Sequence, residues 1–405
     1  MTLSVAEYSA LVAGLASVPR QFRRWSVDCL GLILAEDIDA VLPVPPFTNS
    51  AMDGYAVRAR DVTEVPARLK VVGDSPAGAP TDRSVGAGEA VRIMTGAPLP
   101  VGADAIVPVE ATDQRPGAAP LPQWVEIREP AGLGRHIRRA GEDVPVGSPV
   151  LTTGTRLTPA ALAAAIATGH GELAVHPRPR VAVIATGSEL VPPGRTPGPG
   201  QLPDSNSPML AALVEQAGAD VAVRVAVADD VEVFGRALEA AAARADLVLT
   251  TGGVSAGAFD VVKEFGGLDF HAVAMQPGKP QASGWIELDE RRVPLLGLPG
   301  NPVSVFVSFH VFVAPLLAAL AGDRAWERPT VAARASTAWH SPAGRQQYVP
   351  VALAADGTCA PPHALGAGSH LIASLHLADG LAIVAADVTE VAAGDELTVL
   401  LTGAR

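Results

Sequence analysis

Three turns in this chain set glycine beside polar side chains directly after apolar runs. Thr186-Gly187-Ser188-Glu189 follows the run 181–185, and Gly252-Gly253-Val254-Ser255-Ala256-Gly257 follows 246–251. Pro299-Gly300-Asn301-Pro302 follows 293–298, with Ser304 two residues on. Glycine lets backbone N–H groups approach a phosphate closely, and a helix beginning at such a turn adds favourable partial charge. A glycine turn after a strand is on its own ordinary architecture. Three of them at one sheet edge point to an anion site, because ligands of open α/β sheets sit beyond the carboxyl ends of the strands.

Acids cluster near the same turns: Glu189, the pair Asp229-Asp230, and Asp260. Carboxylates beside phosphate suit Mg²⁺, a hard cation that takes oxygen ligands. One of Asp229 and Asp230 is also expected to cap the helix that starts near Val231, so metal duty is assigned to Asp260 and Asp229. The chain has only three lysines, Lys70, Lys263 and Lys279. Lys279 lies in Gln276-Pro277-Gly278-Lys279-Pro280, where a glycine-proline turn favours anion contact over a merely solvated amine.

Further polar segments run through the first 150 residues: 49–55 with Asp53, 92–98 with Thr95, and 135–143 with its arginines, Glu142 and Asp143. Singly they read as turns and solvated faces. No Ser-His-Asp or Cys-His nucleophile set and no zinc-type histidine spacing appears.

The elements that must position these residues follow from periodicity. Val5, Tyr8, Leu11, Val12 and Leu15 recur at helical spacing up to Pro19, and 25–36 reads as a second helix. Pro43, Pro45 and Pro46 then enforce an extended passage. Short strands over 56–58, 69–72, 91–94, 105–109 and 124–127 make a mainly β domain, with 111–123 a surface loop. Thr158 and Pro159 open a helix that Gly169 stops. From about 181 strands and helices alternate, predicting a parallel sheet covered on both faces. The chain from about 330 returns to short strands.

Composition agrees. With 405 residues, two to four domains are expected. A net charge of −12 disfavours nucleic acid as a partner, since such proteins carry basic surfaces. Cys29 and Cys359 fit no ligand spacing and read as reduced, structural thiols in a cytoplasmic protein. The uncharged stretch 302–322 is long enough to span a bilayer. It contains Ser304, Ser308, His310 and Pro315, and it reads as a core helix, with no membrane partner expected.

The residues 49–55, 94–98, 141–143, 186–190, 251–255, 277–280 and 297–304 jointly resemble the molybdopterin molybdenumtransferase family, bacterial relatives of the gephyrin E domain. The matches keep the family's order over nearly the whole chain. The resemblance implies a multi-domain α/β and β architecture: a helical/linker part (1–40 plus 144–178), a mainly β domain (41–143), a molybdopterin-adenylyltransferase-like α/β domain (179–326) and a C-terminal β barrel (327–405). It also implies a homodimer with the active site at the subunit interface.

Residue by residue, the resemblance makes Asp53, Thr95, Asp143, Glu189, Asp229 and Asp260 catalytic positions. Gly252, Gly253, Ser255, Pro299, Asn301 and Pro302 become substrate-binding, and Lys279, Ser304, Arg345 and Ser369 oxyanion-holding. The family often has lysines at the positions of Ala272 and Gln276, so this chain has lost cationic character there. The implied reaction converts adenylyl-molybdopterin and molybdate to Mo-molybdopterin and AMP with Mg²⁺. The molybdopterin adenylyltransferase is raised as a further partner. Two alternatives stand beside it. An adenylyltransferase would make AMP-pterin from molybdopterin and ATP, and a pterin-binding scaffold would bind without releasing AMP.

Overall fold

A computed structural model describes the chain except residues 1, 18, 80, 254–261, 263, 265–267, 289–290, 364–367 and 404–405. Its centre is a seven-stranded sheet. Four parallel strands, Asp220–Val227, Arg180–Thr186, Leu247–Thr251 and Arg291–Leu298, lie side by side in that order. Pro280–Leu288 adds antiparallel to the last of them, Leu268–Val273 antiparallel to that, and Thr2–Leu3 closes the edge. The sheet is therefore mixed, where the sequence predicts a purely parallel one. The two added strands hold polar and small residues without an apolar run, which hides them from a periodicity reading.

Strand alternation divides the core. Val181, Val183, Leu247, Leu249, Leu296 and Leu298 face one side, packed under the helices Asn206–Gln216 and Pro302–Ser308 and the N-terminal helix Val5–Ala13. Ala182, Ile184, Val248, Val293 and Leu295 face the other, under Phe234, Leu238 and Ala241 of the helix Val231–Ala242. Each large side chain fully buried this way contributes about 1.5–3 kcal/mol.

The stretch from Pro302 to Leu320 is helical throughout, and 72% of its most apolar window is buried inside the protein, as a core helix requires. It widens into a π-turn over Phe309–Val313 just before Pro315. Proline has no N–H for the carbonyl four residues back. That carbonyl, on Val311, instead accepts a hydrogen bond from Arg328 Nη2 at 2.7 Å.

The five strands read from the sequence between 56 and 127 are all present and form one sheet, in the order Trp124–Ile127, Ala67–Ser75, Glu89–Ile93, Gly54–Val57, Ala105–Pro108. At the C-terminal end, Gln346–Leu353 pairs with both Thr358–Ala360 and Gly380–Val384. Thr330–Ala335 and Glu396–Leu401 complete the ring, a closed five-stranded barrel.

The segment expected to be a helix over 25–36 is instead the strand Phe22–Trp25, a 3₁₀ turn Ser26–Asp28 and the strand Ile33–Leu34. Glu172–His176 pairs with both strands, and Gly31 at φ 77° turns the chain between them. The pairing outweighs helix propensity, so this part holds one α-helix, Pro159–Ala167, on a small sheet. The sequence grouping puts 1–40 here, but Val5, Tyr8, Val12 and Leu15 pack into the α/β core, Tyr8 edge-on to Phe312 with ring centroids 4.8 Å apart. Cys29 and Cys359 are both free and buried.

Candidate active site

The four parallel strands end together, and the turns that follow them wall a cleft of about 690 Å³. Thr186 leads into Gly187 and Glu189, Val227 leads towards Asp229, Thr251 into Gly252 and Gly253, and Leu298 into Pro299 and Asn301. Lys279, Pro302, Ser304 and Ser369 line the same cleft. Ser255 and Asp260 lie outside the described residues.

The glycines are required where they stand. Gly252 has φ 88°, and a Cβ there would sit 2.6 Å from the carbonyl oxygen of Thr186 and 2.8 Å from its Oγ1. Gly253 at φ 68° continues the left-handed turn. Two neighbouring strand ends can approach this closely only without side chains between them.

The two adjacent aspartates separate by role. Asp230 caps the helix Val231–Ala242, accepting from the Val233 amide at 2.8 Å. Asp229 faces the cleft and ties two strand ends together. Its Oδ2 accepts from the Ser188 amide at 3.0 Å, and its own amide donates to Ser188 Oγ at 3.1 Å. Its second carboxylate oxygen has no protein partner among the described residues. Glu189 is exposed on the same wall.

Asn301 occupies the position before the helix Pro302–Ser308, but its side chain makes no capping bond. Its Nδ2 donates to Ser369 Oγ at 3.1 Å, joining the cleft to the barrel domain. Lys279 is exposed and has no carboxylate within ion-pairing distance among the described residues. Arg345 is not among the residues that line the cleft; its Nη1 donates to Oε1 of the cleft residue Gln276 at 3.0 Å. Ala272 is in the strand Leu268–Val273, opposite Pro280 and Thr2.

The β-domain residues form a separate group. Asp53 accepts from both the amide and the hydroxyl of Thr95, at 2.7 and 2.8 Å, and these bonds hold its carboxyl below the usual range. Asp53 lines a recess of about 480 Å³ with Arg92 and Glu110. Arg92 is engaged by Asp74 at 2.6 Å and by the Ala119 carbonyl at 2.8 Å. Asp143 is exposed, its amide donating to the Val44 carbonyl at 3.0 Å. Among the described residues, none of Asp53, Thr95 and Asp143 lines the α/β cleft within one chain.

Two cleft residues escape a sequence reading. Asn206 Nδ2 donates to Thr251 Oγ1 at 3.1 Å and to the Gly300 carbonyl at 2.7 Å, bracing two of the glycine turns. Asp204 is buried and accepts from the Ser207 amide at 3.0 Å and from the Ser207 hydroxyl. The only signal in Asp204-Ser205-Asn206-Ser207 is that of a helix start.

Three family models match the chain in series. They are the MoeA N-terminal region (domains I and II) over residues 3–169, a probable molybdopterin binding domain over 182–319, and the MoeA C-terminal region (domain IV) over 332–402. The chain is 45% identical to molybdopterin molybdenumtransferase 2 of Mycobacterium tuberculosis, over 98% of both chains. It is 40% identical to the molybdopterin molybdenumtransferase of Haemophilus influenzae, over 73% of this chain and 72% of that one. A crystal structure of the molybdopterin biosynthesis MoeA protein from Pyrococcus horikoshii superposes with a TM-score of 0.82 at 32% identity, covering all of both chains. Sequence order, domain succession and cleft geometry agree, and this chain belongs to the molybdopterin molybdenumtransferase (MoeA) family.

Proposed function

We propose that this enzyme inserts molybdenum into adenylyl-molybdopterin, consuming molybdate and releasing Mo-molybdopterin and AMP. The observation that carries the reading is the meeting at one sheet edge of glycine turns, the carboxylates of Glu189 and Asp229, and Lys279, which has no ion-pair partner among the described residues. The turns at Gly187, Gly252 and Gly300 leave room for a phosphoanhydride against the backbone. Among the described residues Lys279 has no ion pair to break before it meets a dianion, and Ser304, Ser369 and Arg345 complete the oxyanion's surroundings. A water oxygen bonds to the adenylyl phosphorus as that phosphorus loses its bond to the bridging oxygen, which departs on the molybdopterin phosphate and leaves AMP, with positioning and charge stabilisation doing most of the catalysis.

Among the described residues no group of three or more His, Cys, Asp or Glu is gathered. Mg²⁺ does not need one, because it is commonly held by one or two carboxylates together with substrate phosphates and water. Asp229, with one carboxylate oxygen unclaimed, fits that demand, and Asp260 is assigned beside it. When bound, the cation supplies positive charge to the phosphoanhydride oxygens. Asp229 also fixes the Ser188 amide, so its part in shaping the turn does not depend on metal.

Asp53, Thr95 and Asp143 are assigned to the cleft of a second copy, making a homodimer with its active site at the subunit interface. A cytoplasmic location and an adenylyltransferase that hands over the adenylylated pterin complete the proposal. The experiment is AMP release from adenylyl-molybdopterin with and without molybdate and Mg²⁺. Release that depends on both supports the reading. AMP-pterin formation from molybdopterin and ATP, or binding without any AMP release, overturns it.

A further inference from the structure

Arg345 is half-buried in the loop that enters the barrel strand Gln346–Leu353. Among the described residues no carboxylate lies within ion-pairing distance of it. A partly desolvated guanidinium without a counter-ion is unfavourable unless something anionic is meant to meet it. It carries five N–H donors in a rigid fork suited to oxyanions, and among the described residues it has one protein acceptor, Oε1 of Gln276 at 3.0 Å.

Gln276 is well placed to hold it. The two-residue strand Met275–Gln276 leaves the α/β domain and pairs in parallel with the barrel strand, Met275 opposite Gln346 and Gln276 opposite Gln347. The Gln346 amide also donates to the Ala274 carbonyl at 2.9 Å. Backbone pairing therefore fixes the segment carrying Arg345, and the Gln276 side chain fixes its guanidinium. Gln276 lines the cleft together with Lys279, three residues further on. An amide oxygen orients a guanidinium without cancelling its charge, which a carboxylate at this position would do.

We infer that Gln276 is a positioning residue for oxyanion capture: it aims Arg345 of the barrel domain at the tetrahedral dianion that Lys279 meets from the α/β domain, and it leaves the guanidinium charge intact. The role rests on the proposed reading of the cleft as a molybdate site. It makes molybdate affinity depend on how the barrel domain is docked.

The test compares Gln276→Glu, Gln276→Ala and the full-length wild-type enzyme in molybdate-dependent AMP release, with thermal unfolding alongside. Glutamate pairs with Arg345 and neutralises it, so KM for molybdate should rise about 10–100-fold while the melting temperature holds or rises. Alanine leaves the guanidinium charged but unaimed, and KM should rise about 3–10-fold. In both variants the loss falls mainly on KM rather than kcat. A glutamate variant with wild-type KM, or one whose kcat and melting temperature fall together, overturns the role. A wild-type enzyme whose AMP release ignores molybdate overturns the functional reading itself, and this role with it.

Discussion

Asp53 and Thr95 are 42 residues apart, yet the Asp53 Oδ1 accepts from both the amide and the hydroxyl of Thr95. The amide bond and then the hydroxyl bond lower the carboxyl's pKa, so Asp53 stays ionised further into acid than an unpartnered aspartate. Thr95→Val removes the hydroxyl donor and keeps the amide. Its folded-state pKa should move up towards the ordinary value, and the acid limb of the kcat/KM profile for AMP release should move to higher pH. The sign follows from linkage. A depressed pKa contributes stability above the unfolded value of about 3.9, and that contribution is lost as pH falls through the folded value. An active valine variant with an unmoved acid limb would remove Asp53 ionisation from the mechanism.

Gly252 meets two demands at once, a left-handed φ of 88° and contact with Thr186 that leaves no space for a Cβ. Gly252→Ala should cost about 1–3 kcal/mol in backbone strain alone, with a further penalty for pushing the strand ends apart. The expected result is a lower melting temperature together with a raised KM for the pterin substrate. Gly147 is the control, since it also has positive φ but nothing within 4 Å of its Cβ position. Equal losses of substrate affinity at the two positions would mean that close approach at Gly252 is irrelevant to binding.

Asp246 joins three arginines at the foot of the central sheet. Arg20 lies 3.0 Å away, Arg180 3.1 Å and Arg291 3.7 Å. Burial pushes its carboxyl up, but hydrogen bonds from the Arg180 side chain and amide, with the charges of Arg180 and Arg20, outweigh burial and hold it low. Asp246→Asn should therefore destabilise the protein at neutral pH by about 1–3 kcal/mol, discounted from a buried pair because Arg20 is largely and Arg180 partly solvated. The difference from wild type should vanish in acid, as pH drops below the folded pKa of Asp246. A destabilisation that persists unchanged into strong acid would assign the effect to shape instead of charge.

The parts of this molecule that were legible share a physical reason. Strands such as Arg180–Thr186 and Leu247–Thr251 are buried on both faces and read as continuous apolar runs, and the turns after them are marked by glycine. The β-domain strands are flanked by turn residues at short intervals. What stayed hidden depended on distant partners. Trp25, Leu30, Leu32 and Leu34 satisfy a helical spacing as well as an extended one, and only pairing with Glu172–His176 decides between them. Asp229 and Asp230 are alike in sequence, and the Ser188 and Val233 amides assign one to the cleft and one to the cap. Gln276 and Arg345 are 69 residues apart, and no local pattern announces their bond.

The separation of Asp53, Thr95 and Asp143 from the α/β cleft within one chain makes the interface proposal testable without a structure of the complex. If each active site draws Lys279 from one subunit and Asp53 from the other, two defective homodimers can complement. Lys279→Ala should weaken molybdate use by about 10–150-fold, the equivalent of losing a charged contact worth about 1.5–3 kcal/mol. Asp53→Asn should lower AMP release strongly at any molybdate concentration. Unfolding and refolding the two variants together at equal amounts makes about half of the dimers mixed. Each mixed dimer pairs one intact Lys279 with one intact Asp53 in a single site, so activity should recover to about a quarter of wild type. A cis arrangement puts one defect in every site of the mixture, and activity would then stay at the average of the two parents. Mixing without recovery, shown alongside demonstrated subunit exchange, would overturn the trans arrangement, in which Lys279 and Asp53 of one site come from different subunits.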